Sequence, residues 1–473
     1  MNKSYKKLFN DTIVFAIGNF GSKILTFLLV PLYTSLLTTE QYGTADLITT
    51  TVSLLCPVLT LTIYEAILRF VLDKKYNSSV VFNSALLLTI VGTLTLVLFS
   101  PLVFSINWYL SDYWFFLLLI YISTAFQMCF SFYLKGVGKT KLFAVQGIIY
   151  TICYLISNIV FLVFLKAGIE GYLFSVVIGY TASNIFMFLC GSIYKIINPK
   201  KIDLSVLKEM LLYSIPLAPT TVLWWINASA DKYMLLWFIG AGANGLYSVA
   251  NKIPTIFSTF SSLFSQAWRI SAISSYDNDK ERAHFYSKVY NYYFVFSLYI
   301  CIFLASFSEF FAGLLFKNDY YSAWILIPML VFASLIEGLS GVLASIYAAA
   351  KKTKLLMIST LVGALFNIVL NYFLIKYLGV IGAPIATSLS FVLIWAIRII
   401  VLKKIMTLRI NHFKDCLSLL LTFVVFVLFS YSFYPKYLYI LVLLVFITII
   451  NFGSLRSLSN ESLQIIKYRR RKK

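Results

Sequence analysis

Hydrophobic positions along this chain come in long unbroken runs, with neither the two-residue alternation of a strand nor the narrow stripe of a surface helix. Fourteen runs stand out: residues 12–37, 43–70, 80–104, 114–134, 143–165, 168–191, 211–239, 243–270, 285–315, 323–348, 354–376, 380–402, 413–433 and 436–453. A helix of roughly 20 apolar residues crosses the ~30 Å hydrocarbon layer, and in lipid a helix satisfies its own backbone hydrogen bonds. The pattern therefore predicts an all-α polytopic membrane protein with about 14 transmembrane helices. The first run is too long for a signal-peptide core and lacks a small-residue cleavage site, so it is expected to remain as the first span. Composition agrees, with 60% hydrophobic and 12% charged residues and a mean hydropathy of +0.87. A soluble domain carries about 25% charged residues. A soluble enzyme and a disordered basic nucleic-acid binder are both excluded.

The chain is nevertheless basic, with 39 Lys+Arg against 18 Asp+Glu and a formal charge of +21. Sorting the basic residues by connection explains most of this. The N-terminus, the even-numbered connections and the C-terminal tail together hold 31 of the 39, and the odd-numbered connections hold only Lys166, Lys317, Lys376 and Lys436. By the positive-inside rule both termini are expected in the cytoplasm. This sorting places Arg269, Lys288, Lys354 and Arg398 at inner span ends. Only Lys23, Arg69, Lys232 and Lys252 remain inside spans.

The sequence also resembles itself at an offset slightly above 200. Lys139-Thr140-Lys141-Leu142 recurs as Lys352-Thr353-Lys354-Leu355, Gly168-x-x-Gly171 as Gly379-x-x-Gly382, and Tyr42-x-x-Ala45-Asp46 as Tyr247-x-x-Ala250-Asn251. Six spans separate the copies, an even number, so the repeat is parallel. The expected organisation is an N-lobe over 1–191, a linker over 192–210, a C-lobe over 211–402, two further helices within 413–453 and a basic tail over 454–473. In the linker, Asp203 precedes Leu204-Ser205-Val206-Leu207-Lys208, which reads as a capped amphipathic helix on the inner surface.

Two spans carry matching polar stripes. Asp46, Thr50, Ser53, Pro57, Thr60 and Tyr64 in the second, and Ser248, Lys252, Thr255, Thr259, Ser262 and Gln266 in the eighth, keep one helical face over about 27 Å. Such a stripe is expected to line a cavity, although hydroxyls also hydrogen-bond between packed helices. A charge at mid-membrane costs roughly 2.5–3.5 kcal/mol on insertion scales, so Lys23 (one turn from Asn19), Lys232 and Lys252 call for water or partners. Glu65 and Arg69 are spaced to pair along one helix. Asn227 and Asp231 lie one turn apart on the seventh span. Asp231, Glu309 and Glu337 are the carboxylates open to an ion-coupling role.

Other motifs fall away. Gly136-Val137-Gly138-Lys139-Thr140 lacks the first glycine of a phosphate loop, since Tyr133 stands there. Asp277-Asn278-Asp279 reads as a solvated, helix-capping loop. The cysteines Cys56, Cys129, Cys153, Cys190, Cys301 and Cys416 show no CxxC spacing and read as small apolar residues. No cofactor and no metal site is expected.

The stretches Asn19-Phe20-Gly21, Pro31-Leu32-Tyr33, Gln41-Tyr42-Gly43 and Arg69-Phe70 resemble the opening of bacterial polysaccharide repeat-unit flippases. So do Asp231-Lys232-Tyr233 and Gly245-x-Tyr247-Ser248-Val249-Ala250-x-Lys252. These are the Wzx-type, or polysaccharide-transporter, family of the multidrug/oligosaccharidyl-lipid/polysaccharide exporter superfamily. The motifs are loose and shared with multidrug extruders and peptidoglycan-precursor flippases, but the resemblance spans the whole chain in layout. It implies a non-enzymatic transporter of the cytoplasmic (inner) membrane. Such a transporter flips an undecaprenyl-pyrophosphate-linked oligosaccharide to the outer leaflet by alternating access, for O-antigen, capsule or teichoic-acid-like polysaccharide. Its expected partners are that glycan, membrane lipids, a proton or sodium ion and polysaccharide polymerase machinery, with no nucleic acid. Lys23, Arg69, Lys232 and Lys252 fit the implied cationic cavity, because phosphates are bound by Lys and Arg. Asn19, Asp46, Tyr64, Glu65, Asn227, Asp231, Ser248, Thr255, Thr259 and Gln266 are its expected polar lining, with Trp224 and Trp225 further candidates for sugar contact. An ion-coupled multidrug exporter of the same fold and a lipid-linked peptidoglycan-precursor flippase are the alternatives. A membrane polysaccharide polymerase fits less well, since no long outer catalytic loop is present.

Overall fold

The computed structural model describes residues 27–73, 75–101, 109–274, 279–350, 352–403, 406, 408, 410–431 and 436–471. Asn19 and Lys23 lie outside them. Among the described residues there is no strand. The helices are α1 (Val30–Leu36), α2 (Thr39–Leu59), α3 (Ile63–Leu72), α4 (Ser78–Leu98), α5 (Trp114–Gly136), α6 (Thr140–Asn158), α7 (Gly168–Cys190), α8 (Leu204–Ser214) and α9 (Ala218–Phe238). They continue as α10 (Ala241–Ala250), α11 (Pro254–Ser274), α12 (Asp279–Ser306), α13 (Ser308–Leu315), α14 (Ile327–Ala349), α15 (Thr353–Leu378), α16 (Gly382–Leu402), α17 (His412–Ser430) and α18 (Lys436–Arg471).

Ten helical stretches among the described residues are long and apolar enough to cross a membrane, and the chain is a multi-pass membrane protein. One of the ten, Lys354–Leu402, contains both α15 and α16. Two more helices of 21 residues, α9 and α11, carry the polar residues of the seventh and eighth expected spans and are less apolar for that reason. Most of the first expected span lies outside the described residues. These differences bring the ten stretches into line with the fourteen runs.

The chain divides into two compact units. One holds the described residues up to Leu236 together with Gly240–Gly245; the other holds Trp237–Ile239 and Leu246 onward. The division thus falls after most of α9, whereas the sequence put its boundary at 191–211.

Local signals account for the helix ends in the first unit. Thr38 and Gln41 form a reciprocal capping box that starts α2: the Gln41 N–H donates to Thr38 Oγ1 (3.2 Å) and the Thr38 N–H to Gln41 Oε1 (3.0 Å). Pro57 near its end cannot donate to the helix ladder. Leu61 and Thr62 then adopt φ of 50° and 53°, a left-handed conformation unfavourable for side chains with a Cβ. Thr62 is held there by its hydroxyl, which donates to the Ser214 carbonyl (2.8 Å).

Asp203 caps α8, accepting from the Ser205 N–H (2.8 Å), the Val206 N–H (3.3 Å) and the Ser205 hydroxyl (2.6 Å). The capped helix expected at 203–208 is present, but it does more than rest on a surface. Leu207 and Met210 are buried in a cluster with Ile63, Ile67, Phe70, Phe82 and Phe130. The three hydrogen bonds hold the Asp203 carboxyl below the usual carboxylate range. A depressed pKa adds stability above the unfolded-state value and loses it as pH falls through the folded one. Asp203→Asn, which cannot ionise, should therefore flatten the acid limb of the thermal-stability profile. An unchanged limb would remove Asp203 as its source.

In the second unit α14 is the central element, buried along most of its length and packed against α11, α12, α16 and α17. Of the cysteines, Cys56, Cys129 and Cys301 are buried, Cys153 is half-buried, and Cys190 and Cys416 are exposed.

Candidate functional site

Within the first unit, α2 meets α10 and α9 along a polar seam. Gly43 and Gly245 bring α2 and α10 together backbone to backbone. A Cβ at Gly43 would collide with the Ala241 carbonyl oxygen, and one at Gly245 with the Thr39 carbonyl oxygen. The contact is reciprocal. Thr39 and Ala241 are the first residues of α2 and α10 and differ by 202 positions, as do Gly43 and Gly245. This sets the repeat register here at 202 in place of the 205 taken from the Tyr42 and Tyr247 motifs. Helix starts and backbone contact fix spatial equivalence more firmly than a two-residue match.

Asp46, Thr50, Ser53, Trp225, Asn227, Asp231 and Lys232 around this contact are residues the sequence singled out; Asn244 and Thr51 are not. Asn244 Nδ2 donates to the Gly43 carbonyl (2.8 Å) and approaches Asp46 Oδ2 at 3.4 Å. Lys232 Nζ donates to Asp46 Oδ2 at 2.8 Å and to Thr50 Oγ1 at 3.2 Å. The two charged side chains are only 16% and 15% exposed, so their attraction is less screened than at a surface. Trp225 Nε1 donates to the Thr50 carbonyl (3.1 Å) and to Ser53 Oγ (3.0 Å). The Tyr233 hydroxyl meets Thr51 Oγ1 at 2.5 Å. Asn227 and Asp231 are buried on α9; Asn227 donates to the Leu223 carbonyl (3.1 Å), and Asp231 accepts from the Lys232 N–H (3.1 Å). Trp224 is exposed.

Lys232 is thus paired where the sequence suggested a cation open to an anionic ligand, and its partner Asp46 is another of the expected lining residues. The pairing was not legible because the two lie 186 positions apart.

The continuous polar stripes are corrected. Each was drawn on one straight helix, and both helices are broken. α2 ends before Thr60, so Tyr64 belongs to α3, where it is buried against Phe132 with ring centroids 5.1 Å apart. The eighth span breaks at residues 251–253 because Pro254 opens α11 and its ring is incompatible with a continuous helix. Ser248 and Thr259 are buried, while Thr255 and Gln266 are exposed. Thr255 Oγ1 and Thr259 Oγ1 return to their own helix, donating to the Lys252 (2.5 Å) and Thr255 (2.7 Å) carbonyls.

Lys252 sits in that break, half-buried. Among the described residues its ammonium has no carboxylate and no hydrogen-bond partner. The expected Glu65–Arg69 pair is absent among the described ion pairs. Both lie on α3 at the expected spacing, but Arg69 is exposed in its last turn, while Lys135 is the cation whose charge acts on Glu65. Glu309 accepts a hydrogen bond from the Tyr437 hydroxyl (2.8 Å). Glu337 is half-buried on α14, with no hydrogen-bond partner among the described residues.

One residue has a role the sequence did not show. Arg398, assigned to an inner span end, lies four positions before the end of α16 and is 2% exposed. Its Nε donates to Ser359 Oγ (3.1 Å), Nη1 to the Ser340 carbonyl (2.9 Å) and Nη2 to Thr360 Oγ1 (3.1 Å), so one guanidinium fork joins α14, α15 and α16. Lys403, just beyond, is exposed at the surface. That following cation was the only hint that Arg398 need not reach the interface.

The family model described as "polysaccharide biosynthesis protein" matches residues 8–269, more than half of the chain. The chain belongs to the polysaccharide biosynthesis protein family. This agrees with the resemblance of its opening motifs, and the matched region contains the α2–α9–α10 seam and Lys252. A comparison with curated proteins found no match. Among solved structures, the lipid II flippase MurJ in an inward closed conformation has the same fold, with a TM-score of 0.67 at 16% identity over 95% of this chain and 100% of that one. An inward-facing multidrug resistance MATE family transporter gives 0.63 at 16% identity over 81% and 100%. An outward-facing one gives 0.60 at 15% over 84% and 95%. At these identities the likeness establishes the fold shared by this family member and those transporters.

Proposed function

We propose that this family member flips an undecaprenyl-pyrophosphate-linked oligosaccharide repeat unit from the cytoplasmic to the outer leaflet of the cytoplasmic membrane. It does so by alternating access, with both termini cytoplasmic, and supplies polysaccharide biosynthesis. The reading is supported by membership of the polysaccharide biosynthesis family and by the fold shared with a lipid II flippase. The observation that carries it is Lys252, a half-buried residue at a helix break whose ammonium has no carboxylate among the described residues. A charge held there at a cost is suited to an anionic headgroup. The Lys232–Asp46 pair closes the seam at the end assigned to the outside. An incoming pyrophosphate would compete with Asp46 for Lys232 only where that seam opens.

The test is reconstitution in liposomes with a lipid-pyrophosphate-linked oligosaccharide. A membrane-impermeant reagent that attacks the glycan reads out its leaflet. The expected result is protein-dependent conversion of the protected half to the exposed leaflet. No conversion, together with uptake of cationic dyes by the same vesicles, would favour the multidrug-exporter reading and sink this one.

A further inference from the structure

At the start of α17 the second unit buries a carboxylate that the site above does not use. Asp415 is fully buried; among the described residues neither of its oxygens has a partner at full hydrogen-bond geometry, and the Tyr290 hydroxyl is the donor that faces it. The nearest cation, Lys414 Nζ, is 3.9 Å from Oδ1, beyond hydrogen-bond range, and donates instead to Ser454 Oγ at 3.1 Å. One turn along the same helix face, Ser418 Oγ accepts from Asn451 Nδ2 of α18 (3.3 Å). Asn451 is also fully buried, and its Oδ1 likewise lacks a donor. The interface of α17 and α18 therefore holds three buried acceptor oxygens, on Asp415 and Asn451, for which the Tyr290 hydroxyl is the one facing donor among the described residues.

An ionised carboxylate in that position costs several kcal/mol unless it is paired and hydrogen-bonded. A single proton removes the deficit. It neutralises the charge and turns one Asp415 oxygen into a donor, in a neighbourhood whose orphan acceptor is the Asn451 amide oxygen. Burial disfavours the charge here, against a hydroxyl and an ammonium that favour it. From α12 the Tyr290 hydroxyl faces the carboxyl and accepts from the Trp395 indole of α16 (3.0 Å). From α17 come Lys414 and Cys416, and from α18 Asn451 and Ser454.

An open cleft of about 350 Å³ between α12 and α18 is lined by His284, Ser287, Lys288, Asn291, Ser454 and Ser457. One of these, Ser454, is the hydrogen-bond partner of Lys414, the residue that precedes Asp415. The charge count assigns this end to the cytoplasm.

We propose that Asp415 is a proton-binding site, reached from the cytoplasmic surface through the α12–α18 cleft and completed by Asn451 and Tyr290. The step is carboxylate plus one proton to carboxylic acid, and nothing else is consumed. The inference does not rest on the identity of the transported substrate.

The test uses the full-length protein in lipid nanodiscs, with no transport assay, so its outcome is independent of the flippase reading. Infrared spectra are titrated between about pH 5 and about pH 9. The wild type should show a carboxylic-acid C=O band above the ordinary carboxylate range, absent from Asp415→Asn. Its unfolding temperature should fall as pH rises, because the fold then loses a proton it holds more tightly than the unfolded chain does. Asp415→Asn should remove that slope. A band unaffected by the substitution overturns the proposal. So does a dependence on Na⁺ at fixed pH that Asp415→Asn abolishes, which would make the site a metal-ion site. Should Asp415→Asn not fold, Lys414→Met decides. A band already present in the wild type whose midpoint moves up in the variant supports the proton site. A band present only in the variant shows that Asp415 is ionised and paired with Lys414.

Discussion

Gly43→Val should lower the unfolding temperature of the purified protein by roughly 3–10 °C, equivalent to about 1–3 kcal/mol for overpacking in a domain of this size. The group a Cβ would strike is the Ala241 carbonyl, part of a helix backbone that cannot rotate aside like a side chain. Relief requires α2 and α10 to separate, which stretches the Asn244–Gly43 hydrogen bond and loosens the nearby Lys232–Asp46 pair. The reciprocity of the contact gives a sharper expectation. Gly43→Ala and Gly245→Ala should have similar effects, and the double variant should cost less than their sum, because one separation relieves both collisions. Additive losses measured by thermal unfolding would mean that the two glycines do not share one contact.

Lys252→Ala should reduce oligosaccharide flipping by more than tenfold while leaving the protein as stable as the wild type, or more so. Removing an unpaired ammonium from a half-buried position lifts a burial cost and breaks no hydrogen bond among the described residues. Lys252→Arg, which keeps the charge, should retain most of the activity. The split between function and stability is the readout. A variant that is less stable yet flips normally would show that Lys252 serves the fold. Lys232→Ala should instead lower stability as well, since it removes the ammonium paired with the partly buried Asp46 carboxylate.

The span pattern was legible because lipid imposes one rule on every crossing segment. Residues 354–376 became Thr353–Leu378 and residues 413–433 became His412–Ser430. Several runs, 43–70 and 243–270 among them, conceal breaks. Hydropathy counts apolar area and is blind to the missing N–H of Pro57 and Pro254 or to the left-handed turn at Leu61–Thr62. The candidate site was legible in residue type and less so in partnership. Asp46 and Lys232 were both singled out, yet as a lining residue and a free cation. The partners of Arg398 were not legible because Ser340, Ser359 and Thr360 are ordinary helix residues until three helices bring them together. Asp415 passed unnoticed for a related reason. One carboxylate at a helix start usually faces water, and only packing against α12 and α18 buries it.

The sequence by itself determined that this is an all-helical membrane protein with a parallel internal repeat, and which polar side chains stand within its spans. Those properties follow from the cost of placing charge and open backbone in hydrocarbon, a cost incurred residue by residue. Only the tertiary structure decided which charges are neutralised, which remain open and which are sealed away. Pairing depends on which helices meet, and contacts between residues nearly two hundred positions apart leave no periodic mark along the chain.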